Sequence, residues 1–317
     1  MKNYKKFFIG TLIILIILVI LIPSVLIKWT DFMTGRHHYS QTADYINYLI
    51  EQKNAKAQEF DEKYGNKIVF FSGSNTLYGI NSKYMHQKSN LPIINYGISM
   101  GLEHYIFDEV KKILKSGDIV IMPLEFSLYR KNNLSVSPQL AEYLITYGKD
   151  YVQKLSPMQK LRLSFYLIKT IMINGKLEAD KLDEDILSRT NDFGDFTANK
   201  GTSEKNVQSI YITEAIPAKY DNFALYDFIN FCKGNYITLF ATAPFFYHQE
   251  NFSENEKEAF EKIKSFYSKN GIDFIGETDT ISVKDKSLLY DGGYHANDKG
   301  QKIRSDYFLK LIYKVYD

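Results

Sequence analysis

The sequence is nearly without cysteine. Its 317 residues include one cysteine, Cys232, which excludes an intrachain disulfide, and no Cys/His spacing around it predicts a structural zinc site. The expected role of Cys232 is therefore that of a small, buried, apolar side chain. Five of the six histidines show no ligand spacing with carboxylates, so the sequence predicts no metal or other cofactor: His37, His38, His86, His104 and His248.

Neither sign of charge dominates. The 39 basic residues nearly cancel the 37 acidic ones, and no Lys/Arg block is long enough to form a nucleic-acid footprint. We therefore expect no nucleic acid among the partners. A hydrophobic content of 45% excludes a disordered chain and is ample for the core of one large domain or two small ones. Internal repeats and low-complexity tracts are absent from the sequence.

Long uncharged apolar runs are also absent, with one exception near the N-terminus. Residues 7–27 carry no charge, and a helix of that length crosses the hydrocarbon core of a bilayer. Lys2, Lys5 and Lys6 precede the run, whereas only Lys28 follows at once, which predicts cytoplasmic residues 1–6 and extracytoplasmic residues 29–317. A cleaved signal peptide is the alternative, but no small-x-small cleavage site follows. The sequence therefore predicts a single-pass protein of the cell membrane.

The rest of the chain alternates between strand and helix patterns. Residues 28–65 predict a membrane-proximal helical segment, because apolar residues recur there at helical spacing among charges. Short β-branched or aromatic runs, each followed by a turn and a helical pattern, predict strands at 67–71, 92–96, 118–124 and 236–244. This alternation is typical of an α/β domain with a parallel sheet covered on both faces, which we assign to residues 66–317.

The alternation lapses between the third and the fourth of these strands. Residues 130–220 contain helical patterns followed by a polar, charged loop, and loops of that length are usually functional or mobile. We interpret this stretch as an insertion, which forms either a cap that faces a substrate or a plain surface excursion.

One motif invites a hydrolase interpretation. Residues 97–101 read Gly-Ile-Ser-Met-Gly and match the G-x-S-x-G nucleophile elbow of α/β-hydrolases. In that fold several strands precede the one that leads into the elbow, whereas here only the strand at 67–71 precedes the strand that leads to Ser99. The alternative is a tight turn between a strand and a helix, with Ser99 as the helix N-cap. The sequence favours this second interpretation.

A second serine lies at a better position. Ser74 follows the first predicted strand, and ligands bind at the carboxyl ends of strands in open α/β sheets. Far along the chain, Asp291 and His295 lie in a Gly-rich loop just before the last helix. A serine needs a base to take its proton, and the base needs a carboxylate to hold its tautomer. We therefore expect Ser74, His295 and Asp291 to form one catalytic unit.

These residues resemble the SGNH (GDSL) hydrolase superfamily over about residues 66–128 and 221–315. The stretch SGSNTLYGINS is similar to the first block of its membrane-anchored branch, which includes the DltD-type proteins of teichoic-acid D-alanylation and the AlgX/AlgJ-type polysaccharide acetyltransferases. The resemblance implies a three-layer, flavodoxin-like α/β/α fold. It also implies that Ser74 is the nucleophile, that Gly97 lends its N–H to the oxyanion hole, and that Asp291 and His295 close the triad.

Two positions depart from the family pattern. The family usually closes with Asp-x-x-His, whereas Asp291 lies four residues before His295. Where its third block offers an asparagine as an oxyanion donor, this sequence has Glu125, and an ionised carboxylate cannot donate. The expected oxyanion hole then consists of the N–H groups of Ser74 and Gly97, helped by the Asn75 side chain. Glu125 is expected to orient a loop or a sugar hydroxyl.

The resemblance implies a membrane-anchored extracytoplasmic serine esterase or O-acyltransferase that acts on a cell-surface glycan. The expected partners are an acylated glycan or acyl donor and a multi-spanning membrane O-acyltransferase. The alternative is a non-catalytic scaffold or assembly factor for surface polysaccharide modification, which the two departures motivate.

Overall fold

The structure is a computed structural model in which the chain divides into two compact units. It describes residues 4, 6–18, 21, 25, 41–130, 136–174, 187–202, 206–212, 223–276 and 282–316. One unit joins Met1–Asn47 with Leu134–Asp183, and the other joins Tyr48–Asn133 with Glu184–Asp317. The second unit contains the sheet and all of the predicted site residues.

The second unit is an α/β fold built on a parallel five-stranded sheet of order β2-β1-β3-β4-β6. A separate parallel pair joins β5 to β7. The four strands predicted from the sequence are confirmed, whereas the three two-residue strands are too short to produce a pattern. The strands are β1 (Ile68–Ser72), β2 (Ile93–Gly97), β3 (Ile119–Met122), β4 (Thr238–Ala241), β5 (Phe246–Tyr247), β6 (Asp273–Phe274) and β7 (Ser282–Val283).

The helices alternate with the strands along the second unit and cluster together in the first. In chain order they are α1 (Gln41–Tyr64), α2 (Ser74–Gly79), α3 (Ser82–Ser89), α4 (Tyr105–Lys111), α5 (Phe126–Arg130), α6 (Pro138–Thr146), α7 (Lys149–Lys154), α8 (Pro157–Asn174), α9 (Phe223–Gly234), α10 (Glu254–Lys269) and α11 (Asp298–Tyr316).

Both faces of the sheet are buried. Successive side chains of a strand point to opposite faces, and every residue of β1 and β2 is buried. On one face Phe70 of β1 packs edge-on against Phe308 of α11, with ring centroids 4.9 Å apart. On the other face Phe71 packs against Phe107 of α4 and Phe228 of α9. Two adjacent aromatic residues of one strand thus bind the helical layers of opposite faces to the sheet.

The sequence predicts two helix ends: a capping box of Ser253 and Glu256, and a C-cap at Gly117 for the helix that follows the second strand. Ser253 and Glu256 form the predicted capping box at the start of α10. The prediction that Gly117 caps the helix after β2 is wrong, since α4 already ends at Lys111. Gly117 instead has a φ of +88° in the turn that leads into β3, where its N–H donates to the Tyr236 carbonyl. A left-handed φ favours glycine there without any helix to cap.

The first unit contains the helices of the predicted insertion. In α6, Leu140 and Leu144 are buried, and one turn beyond them Tyr147 donates a hydrogen bond to Asp44 at 2.6 Å. Parts of the 130–220 stretch, including 175–186 and 213–222, lie outside the described residues. Residues 187–202 belong to the second unit, where Asp195 accepts a hydrogen bond from Ser82.

The predicted anchor is described only in part. Residues 6–18 are helical, whereas most of 19–27 lies outside the described residues. Within the described portion of the chain, no helix combines the length and the apolar character that a bilayer crossing requires. Cys232, by contrast, is fully buried in α9, as predicted.

Candidate active site

The site lies at the carboxyl edge of the sheet, where two neighbouring strands end. Strand β1 ends at Ser72 and α2 begins at Ser74, while β3 ends at Met122 and Glu125 lies three residues later, just before α5. Because β1 and β3 are parallel neighbours, the residues that follow them meet at one edge. The Ser74 hydroxyl lies 3.2 Å from Oε1 of Glu125.

His295 and Asp291 complete a hydrogen-bonded chain with Ser74. The Nε2 atom of His295 lies 2.9 Å from the Ser74 Oγ, and its Nδ1 lies 2.6 Å from Oδ1 of Asp291. An ionised aspartate accepts only, so it holds the proton on Nδ1 and leaves Nε2 to accept the serine proton. The arrangement joins residues 221 positions apart and has the geometry of a nucleophile, its base and the group that orients the base.

The four-residue spacing between Asp291 and His295 does not prevent their contact. The Tyr290 N–H donates to the His295 carbonyl, and the His295 N–H donates to the Gly292 carbonyl. These bonds close the loop into a tight turn that brings the carboxylate back to the imidazole. The difference from the family spacing is therefore accommodated by the loop.

Tyr78 is a site residue that the sequence analysis did not identify. Its ring stacks on the His295 imidazole, with centroids 4.2 Å apart and planes 13° apart. Tyr78 lies four residues after Ser74 on α2, so both side chains share one helix face. That spacing is the signal that could have identified it. The stack fixes the plane of the imidazole between its two hydrogen bonds.

Arg304 of α11 holds the turn that carries Ser74. Its two terminal nitrogens donate to the backbone carbonyl of Asn75 at 2.9 Å and to its Oδ1 at 3.1 Å. Burial lowers the pKa of Arg304 to about 9, and the nearby Glu125 charge opposes that shift. The guanidinium is still cationic at neutral pH. No local pattern connects positions 229 residues apart, so the sequence offered no signal for this contact.

Glu125 is buried and bonded to the same turn. Its Oε1 accepts from the Asn75 N–H at 2.9 Å and from the Asn75 side-chain amide at 3.3 Å, in addition to its contact with Ser74. Burial raises the pKa of the Glu125 carboxyl, against the Asn75 and Ser74 hydrogen bonds and the His295 charge, which lower it. Glu125 therefore holds the turn that carries Ser74.

The structure gives other partners to the Gly97 and Asn75 donors that were expected in the oxyanion hole. The Gly97 N–H donates to Oδ1 of Asn95 at 2.8 Å. The Asn75 amide donates to Ser72 Oγ, to the Pro123 carbonyl and to Glu125. Both donors are engaged within the protein, because polar groups at the ends of the strands form hydrogen bonds with one another. The sequence could not show this competition for donors.

Gly73 and Gly97 are required for close packing. A Cβ at Gly97 would lie 2.1 Å from the backbone nitrogen of Leu77, so α2 can lie against β2 only if this residue is glycine. At Gly73, between β1 and α2, the backbone has a φ of −80° and a ψ of −145°. A Cβ on Gly73 would meet the Met100 side chain and Oε1 of Glu125 at 2.9 Å.

Ser99 occupies the capping position that the sequence favoured. Its Oγ accepts from the Gly101 N–H at 3.1 Å and caps the 3-10 turn Met100–Leu102. We expect Ser99→Ala to lower the free energy of unfolding by about 0.5 to 2 kcal/mol through loss of this cap. Any esterase activity should stay near that of the wild type, as measured with p-nitrophenyl acetate. A loss beyond about a hundredfold in a folded variant would instead favour the elbow interpretation.

No protein-family model matches the sequence, and none of the curated proteins searched is significantly similar to it. Among the described residues, no group of three or more His, Cys, Asp or Glu side chains is arranged to hold a metal ion. The geometry at the edge of the sheet is therefore the observation that indicates a function.

Proposed function

We propose that the protein is a membrane-anchored, extracytoplasmic serine esterase or O-acyltransferase that acts on a cell-surface glycan. The observation that carries this proposal is the chain of hydrogen bonds from Ser74 Oγ to His295 and on to Asp291. Such a chain is what an acyl-enzyme mechanism requires, because the serine hydroxyl is a weak nucleophile until a base removes its proton.

In the proposed reaction, Ser74 Oγ bonds to the ester carbonyl carbon while Nε2 of His295 takes the hydroxyl proton. The tetrahedral intermediate collapses and expels the alcohol, which receives that proton from the imidazolium. Water or a sugar hydroxyl then attacks the acyl-serine and gives its proton to His295. Ser74 recovers this proton as the acid or the new ester leaves. Asp291 remains ionised and stabilises the imidazolium throughout.

The fold supports the resemblance to SGNH hydrolases without deciding it. The nucleophile follows β1, the His/Asp loop precedes the last helix α11, and the strand order is β2-β1-β3-β4-β6. These features fit the proposed three-layer, flavodoxin-like arrangement. The membrane anchor at 7–27, the extracytoplasmic location and the multi-spanning acyltransferase partner follow from the sequence and the resemblance, and they are part of the proposal.

A second candidate is a non-catalytic scaffold for surface polysaccharide modification. The observation that favours it is that the donors expected from Asn75 and Gly97 are already engaged. Losing an oxyanion donor typically costs about 2.7 to 4 kcal/mol of transition-state stabilisation, which slows such an enzyme without abolishing it. A scaffold would not need a reactive serine, so serine reactivity separates the two candidates.

Fluorophosphonate labelling of intact cells tests both the chemistry and the location. We expect a membrane-impermeant probe to label the wild type and Ser99→Ala but not Ser74→Ala, with Ser74 as the modified residue. Absence of labelling by any fluorophosphonate would contradict the enzymatic proposal and favour the scaffold. Labelling by a permeant probe alone would retain the enzyme but contradict the extracytoplasmic location.

A further inference from the structure

Part of the predicted insertion lies inside the second unit, against the candidate active site. The described loop 187–202 belongs to that unit, and Asn199 within it is fully buried. Lys53 of α1, which is also fully buried, donates to the Gly194 carbonyl of the loop at 2.7 Å. This loop is therefore an internal element of the domain, held by side chains that water does not reach.

The Asn199 side chain joins two elements of the site. Its Nδ2 donates to the Ala296 carbonyl at 2.9 Å and to the Tyr78 carbonyl at 3.4 Å. Ala296 directly follows His295, and Tyr78 lies on α2, the helix that begins at Ser74. An amide nitrogen carries two N–H groups, so one of them can serve each carbonyl. One side chain thus connects the loop of the proposed base with the helix of the proposed nucleophile.

Loop 187–202 makes two further contacts with these elements. The Asn199 carbonyl accepts from the Asp298 N–H at 3.0 Å, so backbone and side chain of Asn199 both bond to the chain just after His295. The Phe196 ring packs against the Tyr78 ring, with centroids 4.6 Å apart, and Tyr78 in turn stacks on the His295 imidazole. The stacked pair is therefore held at its rings by Phe196 and at its backbone by Asn199.

The unused half of the Asn199 amide indicates what the residue contributes. Among the described residues, Oδ1 of Asn199 has no hydrogen-bond partner, although the side chain is fully buried. An unpaired buried acceptor is destabilising, and an apolar side chain would avoid that cost. Both hydrogen bonds of the side chain leave from Nδ2. The contribution of asparagine at this position is therefore its pair of donors.

The proton transfer proposed for the site depends on the distance between two separate elements. Ser74 and His295 are 221 positions apart, and their side chains meet at 2.9 Å only while α2 and the His295 loop keep their relative position. A displacement of about 1 Å between reacting groups can lower a rate by about a hundredfold. The Asn199 donors fix that relative position, because they bond to the backbone of both elements.

We propose that Asn199 is a positioning residue, whose side-chain amide sets the place of His295 relative to Ser74 by bridging the Ala296 and Tyr78 carbonyls. This inference rests on the proposed function and adds a residue of the insertion to it. Asn199 is fully buried, so it acts through the backbone of its two neighbours rather than on a substrate. The proton transfers remain those of Ser74 and His295.

Two substitutions remove the donors of Asn199. Asn199→Asp keeps the shape of the side chain but replaces the NH2 group by an oxygen, which cannot donate when ionised. Asn199→Ala removes the donors without burying a charge, and it serves if Asn199→Asp does not fold. For either variant we expect kcat for p-nitrophenyl acetate to fall by about 10- to 100-fold, with KM within about threefold of the wild type. The reason is that the proposed mechanism uses His295 in both acylation and deacylation, whereas Asn199 does not touch the ester.

The rate constant of fluorophosphonate labelling at Ser74 should fall by the same factor. This rate constant reports on folded molecules alone, so a purely structural role of Asn199 would lower the folded fraction and leave the rate constant unchanged. Asn54→Ala and Asn54→Asp are the matched controls. Oδ1 of Asn54 accepts from the Tyr96 hydroxyl at 2.8 Å, and that hydrogen bond involves neither α2 nor the His295 loop. Both control variants should keep the wild-type kcat.

The full chain in detergent serves for these measurements, with circular dichroism as the check on folding. A wild-type kcat and labelling rate in folded Asn199→Ala would overturn the inference, and so would an equal fall of both in Asn54→Ala. A raised KM at constant kcat would also overturn it, because it would indicate a substrate contact. Failure of both Asn199 variants to fold would make the residue structural, against the inference. Absence of fluorophosphonate labelling of wild-type Ser74 would instead contradict the proposed function itself.

Discussion

Ser74→Ala and His295→Ala should each lower the rate of p-nitrophenyl acetate hydrolysis by on the order of 10⁴- to 10⁶-fold, and the double variant should be no slower. In the proposed mechanism the two side chains act as one unit, because the serine is a weak nucleophile without its base and the base has no proton to take without the serine. Their 2.9 Å contact provides the geometry for that transfer. Steady-state kinetics on the full chain in detergent measures all three variants.

A variant of Asp291, whose carboxylate orients His295 in the proposed mechanism, belongs to the same set. Asp291→Asn should also reduce the rate strongly, because an amide can donate to Nδ1 and so stabilise the wrong imidazole tautomer. Asp285→Asn is the matched control, since Asp285 caps the neighbouring 3-10 turn and asparagine caps equally well. If the losses at Ser74 and His295 multiply in the double variant, the two residues do not act together and the catalytic pairing is wrong.

The parts of the fold that the sequence predicted are those with a local cause. The strands β1 to β4 are runs of β-branched and aromatic residues bounded by turns, and a window of a few residues is enough to recognise that pattern. The capping box of α10 requires only Ser253 and Glu256. The Ser74–His295 pair spans most of the chain, and it was predicted from the chemistry that a serine nucleophile requires together with a family resemblance.

The parts that escaped prediction depend on which hydrogen-bond partners the packing brings together. Arg304 reaches Asn75 from the last helix, and neither residue type predicts the other. Gly97 was expected to lend its N–H, yet Asn95, two residues earlier, takes that hydrogen bond. Donors at the ends of strands are shared among whichever acceptors the packing brings near. A motif therefore predicts which residues surround a nucleophile better than it predicts where each donor points.

Gly97→Ala should destabilise the protein and reduce its activity together. The added Cβ would lie 2.1 Å from the Leu77 nitrogen and 2.6 Å from the Thr76 carbonyl carbon, so the backbone of α2 must move. Such overpacking typically costs about 1 to 3 kcal/mol, measured as the free energy of unfolding in urea. Since α2 carries Ser74, a displacement of about 1 Å should also lower the rate by about a hundredfold.

This substitution separates two roles of Gly97, as a small residue that allows close packing and as a backbone N–H donor, because alanine keeps the backbone N–H. If Gly97 mattered only as a donor, Gly97→Ala would leave both the free energy of unfolding and the rate nearly unchanged. Gly234→Ala is the matched control: Gly234 is the last residue of α9, and nothing lies within 4 Å of a Cβ placed there. Its stability should be unchanged or raised by up to about 1 kcal/mol, since alanine is the better helix former. Wild-type stability and activity in Gly97→Ala would contradict the close packing of α2 against β2 and would return the oxyanion role to the Gly97 N–H.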